Sequence, residues 1–167
     1  MKKLLLLLLF SAFFGHKTPG QTVPPKNIPS KTTSTKPVAE GPEVWGVFDG
    51  RVHCQQMALE LNITVPENCE KLKWSFSFYQ DPKTHQPTTY KLFGSLFRGQ
   101  AREGKWAIVK GTKTDSEAVV FQLDPDKKEK TIFILKGDDN VLFILDKNKN
   151  LMVGDDYLSY TFNRVVN

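Results

Sequence analysis

Four residues carry the chemistry this sequence offers: His53, Cys54, Met57 and Cys69. Thiolate sulfur, thioether sulfur and imidazole nitrogen form the soft donor set that copper(I) prefers. His53, Cys54 and Met57 fall within five residues. Residues 54–61 have helical character, which puts Cys54 and Met57 at i and i+3 on one helix face. Cys69 supplies the second thiol, and the same two sulfurs suit a different chemistry. An even pair of cysteines in an exported chain usually forms a disulfide. Here it would close a loop of about 15 residues and contribute roughly 3 kcal/mol. A disulfide and a thiolate metal site exclude one another unless redox chemistry interconverts them, so both readings stay open.

Other chemistry is sparse. His85 reads as a solvated turn histidine. Asp124-Asp126, Asp138-Asp139 and Asp155-Asp156 read as solvated turn residues, where Asp bonds its own backbone. Asp138 to Asn140 and Asp146 to Asn148 lack the spacing and terminal Glu of a calcium loop. The chain shows no Ser-His-Asp order, Gly-x-Ser-x-Gly, His-Glu-x-x-His or phosphate loop, so it is expected not to be an enzyme.

The elements that must position these residues are strands. In Lys71 to Tyr79, Leu72, Trp74, Phe76 and Phe78 alternate with Lys71, Lys73, Ser75 and Ser77, the pattern of a strand with an aromatic inner face. Similar runs are expected over 44–49, 88–97, 106–110, 118–123, 131–136, 141–146, 151–153 and 157–165, with turn residues between them. Only 54–61 reads as helix, and it is short. About eight strands at roughly ten-residue spacing predict an all-β, antiparallel meander closed as a small barrel. The 12 Phe leave two outcomes open. They fill a core, or some line a lumen for a lipid or small apolar ligand.

Upstream of this domain the composition changes. Met1-Lys2-Lys3 followed by an apolar run of about ten residues predicts a signal peptide over 1–20, too short for a membrane span. No cysteine directly follows the run, so no lipid anchor is expected. Residues 21–43, rich in Pro, Thr, Ser and Lys, predict a disordered linker. Of the 23 Lys and Arg, six fall in 1–43, with two of the 18 acidic residues; residues 44–167 therefore carry a net charge of only +1. That near-neutral domain gives no footprint for nucleic acid. A soluble, exported protein of the periplasm or cell envelope is expected, and no protein partner can be read from the residues.

Trp45-Gly46-Val47-Phe48-Asp49-Gly50-Arg51 leads into Cys54. Glu67-Asn68-Cys69-Glu70-Lys71-Leu72-Lys73-Trp74 follows, and Leu142-Phe143-Ile144-Leu145-Asp146 pairs with Tyr160-Thr161-Phe162 near the end. Together these stretches resemble the N-terminal domain of the NlpE family, envelope lipoproteins associated with copper homeostasis. The resemblance spans most of 44–167. It implies a lipocalin-like β-barrel tied to copper resistance or envelope stress sensing. Cys54 matches the first Cys of that family's Cys-x-x-Cys, but Met57 stands at the second. The family's lipid-attachment Cys and second, OB-like domain have no counterpart here. The resemblance carries over Cys54 alone, with Met57 as a substitute donor; joined to the soft-donor cluster, it gives the expectation of copper held by Cys54 and His53 as primary ligands, with Met57 and Cys69 in support. Carriage of a lipid or small apolar ligand is the alternative.

Overall fold

The computed structural model describes residues 30–31 and 37–167. The signal-peptide expectation and most of the linker lie outside them. Among the described residues are nine strands: β1 (Ser30–Lys31), β2 (Val44–His53), β3 (Lys71–Gln80), β4 (Pro87–Gly94), β5 (Arg102–Lys110), β6 (Val119–Leu123), β7 (Ile132–Lys136), β8 (Val141–Leu145) and β9 (Thr161–Val166). The α-helix α1 (Cys54–Leu61) follows β2, and a 3-10 turn covers Lys128–Lys130.

β2 through β9 run antiparallel, each beside the next. β9 pairs with both β8 and β2, placing Leu142 opposite Phe162 and Gly50 opposite Phe162 on its other side. The sheet is therefore an eight-stranded barrel, and closure removes the exposed edges that so many apolar strands would otherwise present. β9 runs past the end of β8. Its last residues, Val165 and Val166, pair in parallel with Ser30 and Lys31 of β1. Asn167 clasps the segment entering β2: its Oδ1 accepts from the Val38 N–H at 3.0 Å, and its Nδ2 donates to Val38 O and Glu40.

Alternation sends the aromatic side chains inward. Phe48, Phe76, Phe78 and Phe162 have no exposed surface, and Trp74 and Trp106 are nearly as buried. Trp45, Phe78, Trp106 and Phe121 form one ring cluster, with Trp106 and Phe121 centred 4.8 Å apart and Trp45 and Phe121 5.0 Å apart. Such edge-on pairs add to the burial of large apolar area. Both buried indoles find acceptors: Trp74 Nε1 donates to Ser95 O at 2.9 Å and Trp106 Nε1 to Tyr79 O at 2.6 Å. The interior is a packed core. Gly50 makes this packing fit, since a Cβ there would stand 2.6 Å from Thr161 O and 2.7 Å from the Phe162 ring.

Each end of the barrel has its own closure. Where β2 begins and β9 ends, the Arg164 guanidinium lies 4.7 Å over the rings of both Trp45 and Phe48. It donates to Trp45 O at 2.7 Å and Asp139 O at 2.6 Å. At the opposite end, where β2, β4, β6 and β8 finish, α1 forms the cap. Cys54, Met57, Ala58 and Leu61 make its buried stripe at i, i+3, i+4 and i+7. Asn62 ends it in the left-handed region at φ 52°, with its N–H turned back to Leu59 O.

Three sequence expectations are corrected. Leu151 to Val153 is not a strand: only Leu151 makes a bridge, to Leu145, and Val153 is 79% exposed. The Asp146 carboxylate accepts from the Asn148 and Asn150 N–H groups and draws the chain into a turn instead. Residues 157–160 precede β9 because Asp155 Oδ1 captures the N–H groups of Tyr157 and Leu158, removing them from any ladder. Residues 95–97 fall outside β4, which ends at Gly94 with φ +119°.

Candidate functional site

β2 delivers His53 and Cys54 to the helix-capped end of the barrel. The Cys54 N–H donates to Glu70 O at 3.0 Å, bringing the start of α1 beside the approach to β3. Gln55 fastens the intervening loop, its Nε2 donating to Pro66 O at 2.8 Å and Glu67 O at 3.0 Å. With the two backbones so held, Cys54 and Cys69 form a disulfide, their Cα atoms 5.6 Å apart. Cys54 is fully buried and Cys69 packs against the core.

Met57 lies one helical turn beyond Cys54, on the same face, and is 1% exposed. It lines a small void of about 10 Å³ with Leu61, Ile132 and Leu145, room for about one water. The structure thus brings three of the four predicted residues into one region, two of them joined covalently and the third inside the core. His53 departs from them. Its Nε2 stands 3.5 Å from Asp155 Oδ2, and its ring is 5.7 Å from that of Tyr160. Among the described residues, no group of three or more His, Cys, Asp or Glu side chains could hold a metal ion.

The electrostatics follow from these contacts. The N–H groups of Tyr157 and Leu158, with a smaller contribution from His53, hold the Asp155 carboxyl below its ordinary range. Burial, reinforced by the negative charges of Asp155 and Glu60, pushes the Tyr160 phenol up to about 12. The Tyr160 O–H donates to Gln56 Oε1 at 2.8 Å, tying β9 to α1. Burial, together with a hydrogen bond to Asp124, also raises Tyr90. Both native phenols hold their protons more tightly than unfolded tyrosine does. Their contribution to stability is complete below about pH 10, where the unfolded phenol is still protonated, and is lost as pH climbs through 12. Denaturation midpoints should therefore hold steady up to about pH 10 and fall above it, with the tyrosinate absorbance of Tyr90 and Tyr160 appearing together with unfolding. All four tyrosines ionising near pH 10 with the circular dichroism unchanged would contradict this.

A polar group that sequence reasoning missed lies at the same end of the barrel. Asp124 follows β6 and is 3% exposed, not a solvated turn residue. Its Oδ2 accepts from the Tyr90 hydroxyl at 2.7 Å and from Arg102 Nη2 at 2.8 Å. Arg102 Nε donates to the Tyr90 oxygen at 2.9 Å, and the guanidinium also reaches Lys130 O. The only signal in the sequence was an Asp after an apolar strand, which suits a surface turn equally well.

These features define a disulfide-clamped, helix-capped antiparallel β-barrel with a filled interior. Comparison with family models, with curated proteins and with solved structures finds no match for this chain.

Proposed function

We propose that the chain is an exported envelope module of the type it resembles, serving copper homeostasis or envelope stress sensing by binding and not by catalysis. The observation that carries this reading is the Cys54–Cys69 bond at the helix cap. Disulfides persist in oxidising compartments, which supports export. The bond also sets the conditions for metal chemistry. Copper(I) binds thiolate, and neither sulfur is a thiolate while the bond is intact. A dithiol reductant supplies two electrons and two protons, converting the bond to two thiols and itself becoming a disulfide. Copper(I) then displaces the thiol protons. Cys54 and Cys69 are the primary donors and Met57 on the next helical turn is the nearest thioether; the His53 ring, turned toward Asp155, is outside this set. The lipid-carrier alternative has less behind it, because aromatic rings occupy the interior positions.

Titration with copper(I) against a competing chelator tests the reading. The reduced protein should take one equivalent, and the oxidised protein should take none above background. Replacing both cysteines, Cys54→Ser with Cys69→Ser, should abolish binding under reducing conditions. Equal binding by that variant and the reduced wild type would move the site elsewhere.

A further inference from the structure

We infer that the outward face of β2 and β3, toward the helix cap, is a binding site for a phosphate-bearing ligand, with Arg51 and Lys73 as its paired cations. The register sets these two residues directly opposite each other, and both are exposed. The next outward pair toward the cap is His53 opposite Lys71, and Lys71 is exposed as well. The chain neighbours Val52, Leu72 and Trp74 are buried, so alternation commits the cations to the outside.

Like charges directly opposite one another weaken a strand pair. Elsewhere the barrel answers a cross-strand cation with an acid. Lys91 of β4 is opposite Glu103 of β5, and their charged groups meet at 3.0 Å. Arg51, Lys71 and Lys73 have no such answer: among the described residues, none of the three side chains makes an ion pair or a hydrogen bond. In a domain whose net charge is only +1, three unpaired cations on two adjacent strands are a local excess. The acids on this side do not cancel it. Asp155 accepts from the N–H groups of Tyr157 and Leu158 and faces His53. Asp49, two residues along β2, has its Oδ1 shielded from solvent. Glu70 and Asp156 make no ion pair with any of the three.

Arg51 and Lys73 line an open groove of about 1060 Å³, with Ser75, Ser159 and Thr161 supplying hydroxyls beside them. This donor set selects the ligand. A metal cation would add to the repulsion, and a neutral sugar would leave it in place. A phosphate group relieves it and has oxygens for every donor: the guanidinium fork takes two, the ammonium another, and the hydroxyls donate to what remains. Tyr157 at the rim, 91% exposed, gives apolar surface to the group that carries the phosphate. Inorganic phosphate, a soluble phosphate ester and an anionic phospholipid headgroup share this chemistry. The groove is on the barrel wall and uses neither cysteine, so the inference stands apart from the copper reading at the helix cap.

The test uses the whole protein, disulfide intact, at low ionic strength with two probes. One is inorganic phosphate, followed by calorimetry. The other is vesicles of phosphatidylglycerol and phosphatidylcholine, compared with phosphatidylcholine alone, followed by cosedimentation. At least one probe should bind saturably. Saturation by phosphate without vesicle binding assigns a soluble ligand, and binding that requires phosphatidylglycerol assigns a lipid headgroup. Arg51→Gln with Lys73→Gln should weaken the binding by about tenfold or more, as expected for losing two charge-assisted hydrogen bonds. Its ligand-free melting temperature should be unchanged or higher, since the repulsion is gone. Lys83→Gln removes an exposed cation from the loop between β3 and β4, at the opposite end of the barrel, and should leave binding unchanged. Failure of both probes to saturate, wild-type affinity or a lowered melting temperature in the double variant, or an equal loss of binding in Lys83→Gln overturns the inference.

Discussion

Replacing Arg102 with leucine should cost about 3–5 kcal/mol, the loss found when one partner of a buried ion pair is removed. The reason lies in what remains. Asp124 keeps only the Tyr90 hydroxyl on Oδ2, and Oδ1 already has no hydrogen-bond partner among the described residues. Lys127 Nζ, 4.0 Å from Oδ1 and itself half exposed, is too loosely held to replace a guanidinium. Ion pairs at exposed positions such as Lys110–Glu117 should contribute less than about 1 kcal/mol, so the contrast is internal to the molecule. Asp124→Asn should cost less than Arg102→Leu. Asparagine tolerates the left-handed backbone at φ 50°, keeps an acceptor for Tyr90, and leaves the charge on Arg102, the more exposed partner at 15%. Combining the two should recover part of the loss, since the double variant buries no unpaired carboxylate. Urea denaturation of the four proteins gives the coupling energy directly. A cost below about 1 kcal/mol for Arg102→Leu would show that water reaches Asp124 and that the network is not a structural support.

How far the sequence reveals this molecule depends on the range of the interaction concerned. β3 could be read from its own residues, because Leu72, Trp74, Phe76 and Phe78 repeat at the strand period and all turn inward. α1 was equally legible from its apolar stripe and runs from Cys54 to Leu61 as expected. Even the disulfide follows from two cysteines separated by a short loop. The Arg102–Asp124–Tyr90 network has no such local mark. Its members are 12 to 34 residues apart and meet only when β4, β5 and β6 are laid side by side. Leu151 to Val153 misleads for the opposite reason. Three residues suit a strand, but the Asp146 side chain claims the neighbouring N–H groups first. The alignment of Phe93, Ser75, Asp49 and Asn163 side by side depends on register across four strands, which alternation alone cannot supply.

Reduction of the Cys54–Cys69 bond, or its replacement by a serine pair, should lower stability by about 2–5 kcal/mol, with roughly 3 kcal/mol expected from loop closure alone. That is a large share of the 5–15 kcal/mol typical of a whole domain. Loss of the cross-link frees the unfolded chain, and in the serine pair it also puts a hydroxyl where Cys54 is fully buried in the core. Cys54→Ala with Cys69→Ala separates these effects: it removes the cross-link without the polar group and should cost less than the serine pair. The damage should begin at the helix cap and not spread evenly. The Gln55 bonds to Pro66 and Glu67 would be the main remaining fastening of the loop, and they lie at an exposed position. Hydrogen exchange should therefore accelerate first in α1 and residues 62–70, while β5 to β7, whose ladders do not involve that loop, stay protected near the global limit. Uniform acceleration over all strands would mean that the disulfide supports the barrel as one cooperative unit. Unchanged exchange in α1 would mean that Met57 and Leu61, buried beneath the cap, hold the helix without it. In that case reduction would expose little new surface, and the cysteine pair could not report redox state through a change in shape.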